Sequence, residues 1–445
     1  MRFSLVLLIT AAAHAQNPLA LPRTVVIQRE GITGAGQVVQ TGKRLLLFYP
    51  NHPDDFGGSG GSGAAVSEDG GVTWQTQPDD WPLGKTIDVW ADRLRNGDLI
   101  AIGLNWAPDP KKRGELSAKD VPPDAYQLGF SSDEGRTWRN EPIVIEHPSE
   151  YGIIARPLPH VFEDASGILF MPAYAWGKAG NHTLLLHSKD RGRHWSVLSS
   201  ITTAAAMLKA GASVTTPWLE TTVSPTQNGD FLAIVRTGSS AKSSLVSLRS
   251  ADHGRTWSAP EKMAVAGKLP TLQLLPNGVL ALVTAHTKNH CRLYLSSDGS
   301  GRGWSTGHVL SSQSGGNAGM TVTSKDSILV ISPANKRIDA WRVSLRTTPA
   351  VTESLAPPKD ITFIKGTLNW SSNAAKHEVT PILIEKAAGY EDTEILPYIP
   401  IQVKGTKMDL GRQLLIGATY VFDIHAVDRE GRLSPPVRSA PFVNR

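Results

Sequence analysis

The chain contains very little cysteine and no long apolar segment. Cys291 is the only cysteine in 445 residues, so no disulfide can form within the chain. The residues that follow it alternate between polar and apolar, which predicts a strand with a buried free thiol rather than a nucleophile. No apolar run is long enough to cross a bilayer as a helix. We therefore expect no membrane span.

Charge is also sparse and scattered. Charged residues make up 19% of the chain and the net charge is +5, spread along the chain without a long Lys/Arg-rich run or a basic helix. Proteins that bind nucleic acids concentrate basic residues in patches, so we expect no nucleic-acid partner. The sequence shows neither metal-ligand spacing among its His, Asp and Glu residues nor a glycine-rich phosphate loop before a helix. We expect no metal and no cofactor, whereas the small positive balance is compatible with an anionic ligand.

The first 15 residues have the features of a leader segment. Arg2 precedes an apolar run over residues 5–9, and Ala13-His14-Ala15 provides small residues around a cleavage point before Gln16. This order is typical of a secretory signal peptide. The sequence therefore predicts a secreted or periplasmic protein whose mature fold begins after residue 15.

One octet recurs along the chain, with the pattern Ser-x-Asp-x-Gly-x-x-Trp. The Ser and Asp side chains can bond nearby backbone N–H groups and close a tight turn, and the Trp can bury its ring against a neighbouring sheet. Consecutive copies are 46 to 64 residues apart, a spacing typical of propellers and other repeat folds. Four copies are intact and a fifth has one extra residue; they begin at Ser67, Ser131, Ser188, Ser250 and Ser296.

Apolar hairpins accompany the octets. Asn-Gly turns flanked by apolar runs, such as Asn96-Gly97 and Asn228-Gly229, are strong hairpin signals. Six hairpin units can be counted in which a turn, with or without Asn-Gly, lies beside an apolar run. The sixth, around residues 325–327, has no octet. Units that cannot bury both faces alone must pack against each other. The sequence thus predicts an all-β protein with a six-bladed β-propeller over residues 16–350.

The character of the sequence changes after Pro357-Pro358. Residues 368–370 alternate around Trp370, and residues 420–428 alternate in the manner of a strand with one buried face. This pattern predicts a β-sandwich over residues 356–445. The segment resembles a fibronectin type III domain, with Trp370 in the core and Tyr420 as the tyrosine-corner residue. The resemblance implies a spacer or a module for protein or glycan contacts.

The octets resemble the Asp box, or BNR repeat, of the sialidase family and its relatives. The resemblance covers roughly residues 24–350 and implies that the boxes are structural turns on the side away from the substrate. It implies a glycoside hydrolase of the exo-α-sialidase (neuraminidase) type, acting on an acidic sugar of a glycan.

Four residues of this sequence match positions that carry chemistry in that family. Glu220 resembles the glutamate that activates the nucleophilic tyrosine, and Arg236, at the end of the next apolar run, resembles a carboxylate-binding arginine. Arg292 resembles a further such arginine, and Asp55 stands where the family has its acid/base aspartate. Guanidinium groups suit a carboxylate because they offer paired hydrogen bonds. A structural ion pair, an exposed arginine and a solvated loop are the alternatives for these positions.

Two features of the family pattern are missing. The place of the family's first arginine reads Thr-Gly-Ala-Gly-Gln and ends at Gln37, and the segment 314–320, where the nucleophilic tyrosine is expected, contains no tyrosine. A non-catalytic propeller that binds glycans or proteins is therefore the alternative function. Arg156 and His160 lie where an inner strand begins, at a position suited to a channel mouth, although a lone histidine more often has a structural role.

Overall fold

The computed structural model of the chain describes residues 23–28, 34, 36–51, 61–78, 81, 83–178, 180–216, 218–238, 243–286, 290–296, 298–304, 308–311, 318–334, 336–345, 354–385, 401–410 and 417–444. Strands dominate this part of the chain. Its helices are one α-helix, α1, and two short 3-10 helices: Ala204–Lys209, Pro110–Lys112 and Ala118–Asp120. The predicted all-β class is confirmed. None of these helices has the length and apolar character needed to cross a bilayer.

Among the described residues up to 345, twenty-six strands form the N-terminal part of the fold. In chain order they are β1 (Arg23–Gln28), β2 (Gln37–Thr41), β3 (Arg44–Pro50), β4 (Ser62–Ser67), β5 (Gln75–Thr76), β6 (Asp88–Arg93), β7 (Leu99–Leu104), β8 (Tyr126–Ser131), β9 (Arg139–Pro142), β10 (Val144–Ile145), β11 (Ile153–Pro157), β12 (Phe162–Glu163), β13 (Leu169–Gly177), β14 (Gly180–Ser188), β15 (His194–Thr203), β16 (Thr221–Pro225), β17 (Phe231–Val235), β18 (Ser244–Ser250), β19 (Glu261–Ala266), β20 (Lys268–Leu274), β21 (Leu280–His286), β22 (His290–Ser296), β23 (His308–Ser311), β24 (Gly319–Ser324), β25 (Ser327–Ala334) and β26 (Arg337–Ser344).

These strands form six sheets, here numbered in chain order. The first sheet is β2–β5 and the second is β6–β9, each in sequential order. The third has the order β10-β15-β14-β13-β11, with β12 also paired to β13. The fourth is β16–β19, the fifth is β20–β23, and the sixth has the order β1-β26-β25-β24. Neighbours within a sheet are antiparallel, except that β10 is parallel to β15.

The sixth sheet is completed by the N-terminal strand. β1 pairs with β26 in antiparallel orientation, so the two ends of this region are joined in one sheet. In the other sheets each box lies in the turn between the third and the fourth strand of the hairpin series, for example between β18 and β19. The sixth sheet has no such turn because its outer strand comes from the start of the chain. This connectivity explains why the sixth repeat has no box.

A separate apolar cluster lies between each pair of neighbouring sheets. Val38 and Leu45 of the first sheet share a cluster with Leu329 of the sixth. The remaining five pairs share clusters in the same way, so the sheets follow one another around a closed ring. The buried faces on both sides of each sheet account for the nearly continuous apolar runs of the inner strands.

The boxes form the turns that their composition predicts and also join neighbouring sheets. Ser250 Oγ accepts a hydrogen bond from Gly254 N at 2.8 Å and donates to Asp252 Oδ1 at 2.7 Å. Gly254 has a φ of 83°, which a residue with a side chain rarely adopts. A Cβ at this position would overlap Leu185 of the preceding sheet. In four of the five boxes the glycine lies against a side chain of the preceding sheet in this way, with no room for a Cβ; they are Gly135, Gly192, Gly254 and Gly301.

The C-terminal part contains eight more strands in two sheets. The strands are β27 (Lys359–Ile364), β28 (Thr367–Ser371), β29 (Lys376–Glu385), β30 (Ile401–Lys404), β31 (Lys407–Asp409), β32 (Thr419–Val427), β33 (Val437–Arg438) and β34 (Phe442–Val443). One sheet has the order β27-β28-β31 and the other β30-β29-β32-β33, with β34 also paired to β32. Both contribute to one buried cluster that contains Trp370 and Tyr420. The fibronectin type III identity remains a prediction.

Candidate functional site

The predicted glutamate and arginine lie at the end of the fourth sheet that is opposite the boxes. Glu220 immediately precedes β16 and Arg236 immediately follows β17, and these two strands are antiparallel neighbours. The backbone N–H of Arg236 donates to the carbonyl of Glu220 at 2.8 Å. Because the turn between β16 and β17 lies at the far end of the hairpin, on the same side as the boxes, the pair is separated from the boxes by the length of the strands.

Glu220 and Arg236 form a buried ion pair. Arg236 Nη1 lies 2.6 Å from both carboxylate oxygens, and its Nε donates to the carbonyl of Gly238 at 3.1 Å. The backbone N–H of Leu269, on the fifth sheet, donates to Glu220 Oε2 at 3.0 Å. Each residue of the pair is 6% exposed. A buried pair compensates its desolvation only when such additional hydrogen bonds exist, and here they hold the carboxylate in a fixed orientation.

Arg292 lies between the fourth and fifth sheets. It is on β22 and is 2% exposed. Side chains two positions apart on a strand share a face, so Arg292 lies on the face of Tyr294, whose ring packs with Leu232 and Ile234 of the fourth sheet. The structure thus places Arg292 on the side of its sheet that faces the sheet carrying Arg236.

Asp55 lies outside the described residues. The same holds for residues 312–317, which contain most of the segment in which the family's tyrosine was sought. Cys291 is fully buried, as its strand pattern predicts, and burial raises the pKa of its thiol to about 12. A thiol of this kind is a poor nucleophile at neutral pH.

The second and third sheets add a group that the sequence pattern did not identify as a unit. The Arg156 Nη2 atom donates to Asp88 Oδ2, which joins β11 to β6. The Arg156 guanidinium also lies over the ring of Trp90, 5.1 Å from its centroid. Arg156 is 8% exposed, so this cation is held by a carboxylate and an aromatic face with little access to water.

Tyr174 connects this group to Glu220. It lies directly opposite Arg156 in the pairing of β11 with β13, so the two side chains are neighbours on one face. Burial raises the pKa of the Tyr174 phenol; a hydrogen bond from Arg156 and its charge act in the opposite direction, and the charges of Glu220 and Asp88 raise it further. Tyr174 also packs in the same buried cluster as Leu219, so the tyrosine lies beside both Arg156 and the segment that carries Glu220.

A second polar group lies deeper between the inner strands. His160 Nδ1 is 2.7 Å from Asp92 Oδ1, and Asp92 Oδ2 accepts from the backbone N–H of Val161 at 2.8 Å. The side-chain nitrogen of Gln37 is 2.7 Å from His160 Nδ1 and 3.3 Å from Nε2, and that of Gln273 is 3.5 Å from Nδ1. These side chains come from four different sheets, which they link near the centre of the ring.

The two polar groups have the same spacing in the sequence on both of their segments. Asp92 follows Asp88 by four residues on β6, and His160, just beyond β11, follows Arg156 by four. Four residues of a strand span about 13 Å, so the aspartates that hold the two groups lie roughly that far apart along β6. This matched spacing was present in the sequence, but the partners on β6 could not be identified without knowing which strands are neighbours.

A comparison with known families places the chain. The BNR repeat-like domain family matches residues 117–353, which is more than half of the sequence. The chain belongs to this family. The match confirms the predicted resemblance to the sialidase-like, BNR-repeat proteins. The structural counterpart of the repeats is the set of six sheets, five of which carry a box. No match was found among curated proteins.

Two solved structures illustrate the shared fold. A protein of unknown function from Dyadobacter fermentans DSM 18053 is 18% identical with a TM-score of 0.55, over 73% of this chain and 98% of that one. The Hadza microbial sialidase Hz136 is also 18% identical, with a TM-score of 0.54, over 71% of this chain and 65% of the sialidase. The present chain thus spans slightly less than two thirds of the length of that sialidase. At this identity the similarity establishes the propeller fold.

Proposed function

We propose that this BNR-repeat protein is a glycoside hydrolase that acts on an acidic sugar at the non-reducing end of glycans, in the manner of an exo-α-sialidase, and that its six sheets are the blades of a six-bladed propeller. The observation that supports the proposal most strongly is the buried Glu220–Arg236 pair, at the end of the sheets opposite the boxes. A buried, oriented carboxylate beside a guanidinium is what such chemistry requires.

Each predicted residue has a role in the proposed reaction. Arg236 and Arg292 bind the sugar carboxylate through charge-assisted hydrogen bonds. Asp55 donates a proton to the leaving-group oxygen as the anomeric C–O bond breaks. Glu220 attacks the anomeric carbon, or takes the proton of a phenol that does so, and water then releases the sugar. Tyr174 is a described tyrosine that packs beside Leu219, the residue before Glu220, and the charge of Glu220 contributes to raising the pKa of its phenol.

A second function is favoured by one specific observation. Gln37 occupies the place of the family's first arginine, and its neutral amide bonds His160. A propeller that has lost a carboxylate-binding arginine there is suited to binding a glycan or a protein without cleaving it. The fold does not decide between the two functions, because propellers carry many of them.

We also propose that residues 1–15 direct the protein out of the cytoplasm and that residues 356–445 form a fibronectin type III-like sandwich. A glycosidase of this kind meets its substrates on secreted or cell-surface glycans. The C-terminal module then supplies contacts to a glycan or a protein partner.

Hydrolysis of a panel of fluorogenic glycosides tests the proposal. The panel includes sialosides and other acidic-sugar glycosides, and the purified wild type is compared with Glu220→Gln and with Glu141→Gln as a matched control. Glu141 also pairs with arginines, Arg139 at 2.8 Å and Arg193 at 2.6 Å, but it lies on β9 at the outside of the second sheet. We expect Glu220→Gln to lower kcat by about a thousandfold or more and Glu141→Gln to leave it unchanged.

The three possible results of this panel have different meanings. Turnover that is lost only in Glu220→Gln supports the hydrolase. A fully active Glu220→Gln removes Glu220 from the mechanism, and a wild type that is silent on the whole panel favours the binding propeller. In the last case a glycan array identifies what it binds.

A further inference from the structure

We infer that Arg156 of the third sheet binds the carboxylate of the ligand in the candidate site. Arg156 thereby supplies the positive charge that is missing at the position of Gln37 in the first sheet. The inference rests on the proposed function, because it assumes that an acidic sugar binds beside Glu220. The ligand that Arg156 binds must therefore carry a free carboxylate.

The position of Arg156 is the first observation. Arg156 lies directly opposite Tyr174 in the pairing of β11 with β13, and Tyr174 packs in the same buried cluster as Leu219, the residue before Glu220. Glu220 is in turn bonded to Arg236. Guanidinium groups from two adjacent sheets thus lie near one carboxylate and one phenol, at the end of the sheets opposite the boxes.

The orientation of Arg156 is the second observation. Asp88 holds one edge of the guanidinium, the ring of Trp90 lies under its face, and Tyr174 contacts it from the paired strand. A guanidinium held on its edge and face loses little side-chain entropy when an anion binds. The Arg156 and Asp88 side chains retain 10% and 19% of their exposure, so the pair is not sealed from the surface.

The composition of the first sheet is the third observation. Gln37, at the start of β2, is 1% exposed and its amide contacts His160 of the deeper group. It therefore presents no positive charge to a ligand carboxylate. Arg156 is held by Asp88, about 13 Å along β6 from the Asp92 that contacts His160, so it lies nearer to the end of the sheets that carries Glu220.

The test is direct binding, so that it does not depend on turnover. Isothermal titration calorimetry measures the affinity for two sugar acids, N-acetylneuraminic acid and glucuronic acid, and for the methyl ester of each. Wild type, Arg156→Gln and Arg139→Gln are compared. Arg139 is the matched control, because it also pairs with a carboxylate, Glu141, and also lies over an aromatic ring, Phe130 at 4.6 Å, but on the outer strand of its sheet.

We expect the wild type and Arg139→Gln to bind one acid about tenfold or more tightly than its ester, since a charge-assisted hydrogen bond is lost in the ester. Arg156→Gln should show a clearly smaller preference for the acid than the wild type, and Arg236 and Arg292 account for what remains of it. If Arg156→Gln does not fold, as judged by its thermal unfolding, Arg156→Lys and Tyr174→Phe take its place. Arg156→Lys keeps the charge without the planar fork, and Tyr174→Phe removes only the phenol contact; each should reduce the preference for the acid.

The possible failures are distinguishable. A folded Arg156→Gln variant that keeps the wild-type preference for the acid overturns the role of Arg156 and leaves the proposed function intact. A wild type that shows no preference for either acid over its ester overturns both. A loss of stability in Arg156→Gln with an unchanged preference shows that the Asp88–Arg156 pair only joins two strands, and it also overturns the inference.

Discussion

The two ends of the sheets are built in different ways, the box end from one repeated unit and the Glu220 end from many single contributions. At the box end the same atoms meet in copy after copy. The serine hydroxyl accepts from the glycine N–H at 2.7 Å in the first box, 2.9 Å in the second and third, and 2.8 Å in the fourth. The contact with the preceding sheet is also repeated.

At the Glu220 end the polar side chains that meet differ from sheet to sheet. The fourth sheet contributes a glutamate and an arginine, the third an arginine and a tyrosine, and the second an aspartate. These side chains meet only because the ring brings different sheets together. The repeat therefore builds the scaffold, whereas the site arises from departures from the repeat.

The largest expected effect concerns stability at the Glu220 end. Arg236→Met leaves the Glu220 carboxylate buried without its cation and should destabilise the protein by about 3–5 kcal/mol. The double variant Glu220→Leu/Arg236→Met should recover most of that loss, because it removes both charges from the buried site. Urea unfolding of the single and double variants measures both values.

The same double variant sharpens the comparison between the ends. It should be stable but inactive, as expected of an ion pair retained for function at a cost in stability. If the double variant is less stable than Arg236→Met, the pair is part of the scaffold, and the distinction between the two ends disappears for this sheet.

The next effect concerns the glycine of a box. Gly254→Ala forces a side chain into the left-handed region and against Leu185, which should cost about 3 kcal/mol from the sum of strain and overpacking. Gly229, in the turn between β16 and β17, has a φ of 90°, but no atom lies within 4 Å of the position that a Cβ would take there. Gly229→Ala should therefore cost only the strain, about 1 kcal/mol. Thermal and urea unfolding compare the two variants.

Activity provides the control for this pair. Both glycines lie at the box end, so the folded fraction of each variant should retain wild-type kcat and KM. Equal destabilisation by the two substitutions would show that the box glycine is needed for its turn alone and does not join neighbouring sheets.

The fold could be predicted from the sequence wherever local chemistry repeats. Five boxes and the Asn-Gly hairpins were sufficient for an all-β repeat protein, because each turn is determined by residues next to each other. The pairing of β1 with β26 could not be predicted, since no turn signature joins Arg23 to Trp341, its partner in the sheet. The pairing of the extra strand β10, which runs parallel to β15, could not be predicted for the same reason.

The site could be predicted only within one hairpin. Glu220 and Arg236 flank two consecutive strands of one hairpin, so their pairing depends on local sequence alone. Asp88 and Arg156 are 68 residues apart and come from different sheets, and nothing local connects them. Tyr174 resembled one more core aromatic, because its neighbours are apolar and its polar contacts come from other strands.

The smallest expected effect concerns pH at the box end. Hydrogen bonds from Thr256, first its hydroxyl and then its N–H, and from Ser250 hold the pKa of Asp252 well below its usual range. A carboxyl whose pKa is lowered by folding stabilises the protein above its unfolded pKa, near 3.9, and this contribution is lost as the pH falls through the folded value. Thr256→Val removes the largest cause of the lowering, so it should destabilise the protein at pH 6 and progressively less between pH 4 and 2.

Thr271→Val is the control: Thr271 donates to the carbonyl of Ala318 rather than to a carboxylate, so its effect on the free energy of unfolding should be the same across this range. A Thr256→Val effect that is equally independent of pH would show that the box aspartate contributes to the turn by shape and not by charge.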